Sequence, residues 1–240
     1  MQKRFLLAGA LAALALSPFS ANAQDAAEPP VSPAPAAPEV PVSEPAQPAA
    51  PKTYAAVDFN PQNDPENILL LDLSNRQRVA IRLMPDWAPS HVERIKLLAR
   101  QGFYNGVIFH RVIEGFMAQT GDPTGTGTGG SPLPDLHEEF NPMPHLRGTV
   151  SMARAQDDNS ANSQFFIVFY PRMSLDKHYT NFGRVISGMA AVDSIQRGEP
   201  PANPTRIVQA SLASDNKAPP SPSAIAPSAI TADMLSAPQQ

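Results

Sequence analysis

The sequence predicts a mostly β fold, a closed or nearly closed antiparallel barrel whose ends are covered by two α-helices. Three observations lead there. Proline gathers outside one central region: of 28, nine lie between Gln24 and Pro51 and five follow Asn216. Those flanks hold few aromatic or long aliphatic side chains, so they cannot bury enough surface to offset the entropy of ordering. Between them, Thr53 to Ala213 leaves about 160 residues, enough for one domain with a real core. Within that region short apolar runs recur between turn signals, and only two stretches carry helical periodicity.

Taken in order, the chain opens as a signal peptide over residues 1–23. Lys3 and Arg4 form the charged start, Phe5 to Leu16 the apolar stretch, and Ala21-Asn22-Ala23 a small-x-small cleavage site. The apolar run is shorter than the roughly 20 residues a membrane span needs, so no stable span is expected after cleavage. Export is expected, to a periplasm or to the outside, with cleavage near Ala23. Residues 24–52 read as a disordered Pro/Ala-rich linker, 53–213 as the folded domain, and 214–240 as a disordered Pro/Ser/Ala-rich tail. The chain has no cysteine, which excludes disulfides, thiolate metal sites, a cysteine nucleophile and lipid attachment at the cleavage point. Its formal charge is −4 and no basic patch suggests a nucleic acid. A monomer is expected.

Ile68 to Leu73 and Val79 to Leu83, separated by Ser74-Asn75-Arg76, read as an antiparallel hairpin. Ala88-Pro89-Ser90 introduces the first helix. Either Ser90 and Glu93 form a capping box or Pro89 occupies the first turn. Val92, Ile95, Leu98 and Ala99 make its apolar stripe and Gly102 its stop. A strand containing Arg111 follows, then a turn at Gly115, then Phe116, Met117 and Gln119. Alternation places Phe109, Arg111 and Ile113 on one face and Ile108, His110 and Val112 on the other. Past a glycine-rich loop (Gly125 to Gly130) and a proline-punctuated segment come strands at Gly148 to Ala153, Gln164 to Phe169 and Phe182 to Ile186. Ser187 to Arg197 forms the second helix through Met189, Val192 and Ile195, ended by Gly198. Ile207 to Leu212 is the last strand.

Several motifs invite a bland reading. The glycine run lacks the lysine of a P-loop and opens no helix, so a flexible rim loop is expected rather than a phosphate cradle. Five histidines without ligand-like spacing predict no metal site. His110 reads as a satisfied core histidine, Asp157-Asp158 as a solvated turn, and Ser151, Ser160 and Ser163 sit in no nucleophile elbow. Arg111 is different. A guanidinium keeps its charge at physiological pH and is rarely buried without a partner, so among its apolar neighbours it serves either a structural acid or a ligand. Gln164 and Phe166 share a strand face, and Met117 and Gln119 are likewise two apart. If the two segments face each other, Phe116, Met117 and Phe166 form an apolar cup rimmed by two amides and one guanidinium, the general form of a ligand site. The alternative for each apolar residue singly is ordinary core.

In order, FHRVIEGFMAQTGD, GTGTGG, RGTVSMARA, NSQFFI and LDKHYTNFGRV resemble the cyclophilin family of peptidyl-prolyl cis–trans isomerases, from about Ile68 to Leu212. The resemblance implies a closed eight-stranded antiparallel barrel capped by two helices, binding X-Pro segments on its outer face without cofactor or metal. By matching position, Arg111 is the implied catalytic residue. Phe116, Met117, Phe166 and Leu175 form the proline pocket, and Gln119, Ala153, Arg154 and Gln164, with Gly127 on the rim, hold the flanking backbone. Three positions depart from the family pattern. Arg154 stands where many members have asparagine, Ser174 where many have tryptophan, and Tyr179 at a pocket position often held by histidine. The expected function is isomerisation of X-Pro bonds in exported polypeptides; a non-catalytic proline-peptide scaffold on the same fold is the alternative. Arg111 separates the two, since a pure binder has no need of a guanidinium in an apolar cup.

Overall fold

Strand β1 (Ile68–Leu73) pairs antiparallel with β2 (Arg78–Leu83) through the turn expected from Ser74-Asn75-Arg76. The computed structural model describes residues 54–221; the leader, nearly all of the linker and the end of the tail lie outside the described residues. Six more strands follow: β3 (Arg111–Ile113), β4 (Met117–Thr120), β5 (Thr149–Met152), β6 (Phe165–Val168), β7 (Asn181–Ser187) and β8 (Ile207–Leu212). They form one antiparallel sheet in the order β3-β4-β6-β5-β7-β2-β1-β8.

The expected closed barrel is corrected here. The sheet is open and curled, with β3 and β8 as its edges and no ladder between them among the described residues. What spans the gap is the chain before β3. Phe109 N–H donates to the Thr205 carbonyl (2.8 Å) and Ile207 N–H to that of Val107 (2.8 Å), around one bridge between Ile108 and Arg206. The expected strand through Ile108 therefore shrinks to Arg111–Ile113. Phe109 turns into the core, not onto the face of Arg111.

Alternation sorts the side chains cleanly. Leu69, Leu71, Val79, Ile81, Val112, Ala118, Val150, Met152, Phe165 and Ile167 face the interior, where Tyr104, Phe165 and Phe182 meet edge to face. Helix α1 (Pro89–Arg100) adds Val92, Ile95, Leu98 and Ala99 to that core and packs on β8. It starts on Pro89, with Ala88 as N-cap and no side-chain cap, so the Ser90–Glu93 box is not formed. Glu139, from a distant loop, takes its place. Its carboxylate accepts from the N–H groups of Ser90 and His91 (both 3.1 Å) and meets His91 Nδ1 at 2.6 Å. At the other end Gly102, at φ +72°, closes the helix as expected. Its N–H reaches the Ala99 carbonyl and that of Phe103 reaches Leu98. Helix α2 is shorter than expected, Met189–Asp193, because β7 continues through the β-branched Val185 and Ile186 to Ser187 and Gly188 turns at φ +82°. Val192 and Ile195 are nevertheless buried.

Side-chain contacts begin at the expected N-terminal end of the domain, and hydrogen bonding continues past the expected C-terminal one. Tyr54 stacks on Trp87, and the buried Arg82 guanidinium binds Asp64 and the Asn60 carbonyl. Beyond Ala213, Asp215 meets Arg100 (3.3 Å) and Gln209 Nε2 donates to the Ala218 carbonyl.

Burial raises the Glu139 carboxyl, but the bonds from His91 and the two helix N–H groups outweigh it and hold it at about 2. A carboxylate depressed in the fold stabilises above its ordinary value near 4 and loses that contribution as pH falls toward 2. Glu139→Gln should therefore flatten the fall of melting temperature between about pH 5 and 2 while lowering it at pH 7. Equal slopes for both proteins would remove Glu139 from the acid response.

Candidate active site

The sheet register builds the site as a row. Arg111 on β3 lies opposite Gln119 on β4, Gln119 opposite Phe166 on β6, and Phe166 opposite Ser151 on β5. All four sit on the outer face, because Val112, Ala118, Ile167, Val150 and Met152 take the inner one. One residue along, Ile113, Met117 and Val168 are aligned in the same way. Met117, Phe166, Val168 and Leu175 thus form a second apolar cluster, with Ile113, Phe116, Ala153 and Tyr179 packed against it. The two segments that had to face each other are adjacent strands.

Nine of the predicted residues, Arg111, Phe116, Met117, Gln119, Ala153, Arg154, Phe166, Leu175 and Tyr179, line one cleft of about 260 Å³. Gln164 and Gly127 line the adjoining cleft of about 520 Å³, which shares Gln119, Ala153 and Arg154 with the first. The amides are wired in series. Gln119 Nε2 donates to Gln164 Oε1 (2.8 Å), and Gln164 Nε2 donates to the carbonyls of Gly127 (3.0 Å) and Gly129 (2.8 Å).

The floor is held from beneath. Phe166 packs edge-on to Tyr179 (5.5 Å between ring centroids) and parallel to His145 (6.5 Å). His145 Nδ1 meets Asp176 (2.8 Å) and its Nε2 meets Ser151 Oγ (2.8 Å). The three residues share the order of a hydrolytic triad, but Ser151 and His145 are fully buried. No substrate carbonyl reaches that hydroxyl, so the group supports the floor. Burial depresses the His145 pKa against the pull of Asp176, which favours the neutral imidazole.

The departures at 154 and 179 fit each other. The Arg154 guanidinium lies 5.0 Å from the Tyr179 ring centroid and donates to the carbonyls of His178, Ala155 and Gln156. Its charged end is thus engaged locally, bracing Tyr179.

The glycine-rich loop is pinned, contrary to the expected flexible rim. Asp122 is buried at its centre and accepts from the N–H groups of Thr124 (2.7 Å), Gly127 (2.6 Å) and Gly129 (3.2 Å) and from Thr124 Oγ1. Burial raises this carboxyl, yet the four donors hold it at about 2. An internal carboxylate already occupies the N–H groups that a phosphate would need. His110, expected to be satisfied, is buried with neither ring nitrogen hydrogen-bonded.

Three contributors escaped the sequence reading. Arg172 lies 5.3 Å from the Phe116 ring centroid and donates to the Gly115 carbonyl (2.9 Å). The His145–Asp176 support lies beneath the floor. Glu199 accepts from Arg111 Nε at 2.8 Å. Each joins residues far apart in sequence, and no local pattern signals such a pairing.

A curled antiparallel sheet carrying an apolar cleft, an amide rim and the Arg111 guanidinium on its outer face has the general form of a ligand site. The comparisons place it more closely. The family model described as "Cyclophilin type peptidyl-prolyl cis-trans isomerase/CLD" matches residues 69–212. A probable peptidyl-prolyl cis-trans isomerase of Brucella suis is 50% identical over 170 residues, covering 64% of this chain and 86% of the relative. Peptidyl-prolyl cis-trans isomerase B of Bacillus subtilis is 42% identical over 128 residues, covering 53% and 89%. Among solved structures, the cyclophilin AquaCyp293 of Hirschia baltica superposes with a TM-score of 0.58 at 30% identity, covering 69% of this chain and 83% of the other. A Cryptosporidium parvum cyclophilin-type isomerase, crystallised in the presence of the dipeptide Ala-Pro, gives 0.57 at 28% identity, covering 60% and 98%. The chain belongs to the cyclophilin family of peptidyl-prolyl cis–trans isomerases.

Proposed function

We propose that the domain isomerises X-Pro bonds in exported polypeptides, with Arg111 as the catalytic group and Phe116, Met117, Phe166 and Leu175 as the proline pocket. The observation that carries this reading is the guanidinium standing beside an apolar cleft of about 260 Å³. That volume suits a single small apolar ring better than a large ligand. The Ala-Pro dipeptide used with the Cryptosporidium relative supports the same occupant.

The prolyl amide resists rotation because resonance gives its C–N bond partial double-bond character, with a barrier of about 18–20 kcal/mol. As the bond twists, the nitrogen becomes pyramidal and regains a lone pair. A guanidinium N–H directed at that nitrogen stabilises the twisted state more than the planar one, which is the requirement for catalysis. Uncatalysed isomerisation takes tens of seconds, so about 10–10³ turnovers per second asks for roughly 4–7 kcal/mol. One charged hydrogen bond, at about 1.5–3 kcal/mol, falls short. The rest comes from water displaced as a proline ring fills the pocket, which strengthens the bond, and from the backbone held at Gln119, Ala153, Arg154, Gln164 and Gly127. No step needs a cofactor.

Export is supported by the charged and apolar leader and the Ala21-Asn22-Ala23 site. The test is a proline-limited refolding and peptide isomerisation assay on the mature protein, paired with fractionation of producing cells. Acceleration of the slow phase with recovery outside the cytoplasm is the expected result. A protein that binds X-Pro peptides without accelerating either reaction is a scaffold instead.

A further inference from the structure

We infer that Glu199 is a positioning residue for the Arg111 guanidinium, an inference that rests on the role given to Arg111 above. Arg111 is anchored on a three-residue edge strand and its side chain is 42% exposed, so packing alone does not fix its long stem. Its Nε–H donates to Glu199 Oε2 at 2.8 Å. The two terminal amino groups have no hydrogen-bond partner among the described residues. One edge of the fork is therefore clamped by Glu199, and the two terminal amino groups remain available.

Glu199 is itself placed by backbone. Val112 N–H donates to the Gly198 carbonyl (2.8 Å) and Gly198 N–H to that of Val112 (2.9 Å). This pair joins the residue after Arg111 to the residue before Glu199, so the two side chains emerge side by side. Gly198 sits at φ +140°, and a Cβ there would meet Pro201 Cα at 2.6 Å. Only glycine fits that approach. Pro200 and Pro201 follow directly and restrict the backbone at and beyond Glu199. Glu199 and Pro200 line a third cleft, of about 440 Å³, that also contains Arg111, Gln119, His110 and Gly127. Glu199 thus shares one cleft with Arg111, while Phe116, Met117 and Phe166 share another with it.

An exposed ion pair contributes little to stability, with a median of about 0–1 kcal/mol. Its value here is orientation: a flexible side chain must otherwise be ordered afresh in each transition state. The measurement is isomerisation kinetics, peptide affinity and melting temperature for the mature protein with Glu199→Ala, Glu199→Gln, Arg111→Ala and the Arg111→Ala/Glu199→Ala pair. Glu199→Ala should lower kcat/KM roughly fivefold through kcat, with peptide affinity and Tm nearly unchanged. Glu199→Gln should recover part of the rate, because its amide oxygen still accepts from Nε. Once Arg111 is alanine, removing Glu199 should cost nothing more. The inference is overturned if Glu199→Ala keeps or raises the rate, if it lowers the rate equally without Arg111, or if the loss follows Tm. If Arg111→Ala itself keeps full turnover, the role of Arg111 fails and the inference fails with it. An inactive Arg111→Ala beside an unimpaired Glu199→Ala overturns this inference alone.

Discussion

Arg111→Ala should lower kcat/KM by one to three powers of ten, each about 1.4 kcal/mol, while peptide affinity and melting temperature stay close to those of the parent protein. The split follows from where the guanidinium sits. It borders the cleft while Phe116, Met117, Phe166 and Leu175 line its apolar part, so the contacts that grip a proline ring survive its removal. The side chain is 42% exposed and its one ion pair is with a half-exposed glutamate, so the fold depends little on it. Arg111→Lys should restore only part of the rate. An ammonium keeps the charge but not the planar fork, and it has no Nε–H for Glu199 to hold. The measurement is isomerisation rate beside peptide affinity for each variant. Full turnover by Arg111→Ala would make the guanidinium structural and turn the protein into a binding module.

Phe166→Ala should behave differently, weakening peptide affinity and rate together and lowering stability by about 3–5 kcal/mol. Phe166 is 5% exposed, and its ring meets Tyr179 on one side and lies parallel to His145 below. Its loss opens the floor of the cleft, so apolar contact is missing in ground and transition states alike. It also uncovers the buried imidazole that links Asp176 to Ser151. Affinity by titration, rate by isomerisation assay and Tm should all fall. Phe166→Leu should return most of the stability and less of the affinity, because an aliphatic side chain fills volume without the flat ring. A variant that loses rate while keeping affinity would place Phe166 beside Arg111 in the chemistry instead.

Much of the site was legible because strand alternation is a local rule. Arg111, Met117, Gln119, Gln164 and Phe166 could be placed from spacing of two and from the turn at Gly115, and five ordered motifs supplied the family. The same local rule gave the core strands, the apolar stripe of α1 and its stop at Gly102. It misled where the chain leaves regular geometry. Phe109 was counted on the Arg111 face, but the chain there is held by Thr205 and Val107–Ile207 contacts rather than by a neighbouring strand. Closure of the barrel is likewise a matter of two distant edges, β3 and β8, and no residue within either one reports whether they meet.

The sequence by itself determined a β domain between proline-rich flanks, the family, and which side chains face outward beside Arg111. The first and the last follow from composition and from a period of two, which need only neighbours along the chain, while the family rests on five ordered motifs. The tertiary structure decided who holds those side chains. It set Glu199 against Arg111, Glu139 at the start of α1, Arg154 over Tyr179, and Asp122 inside its own loop. Three of these four pairings cross 25 to 88 residues. Even the local one depends on how glycines at positive φ fold N–H groups back onto one carboxylate. Charge and hydrogen bonding find their partners through space, and only the folded sheet brings those partners into contact.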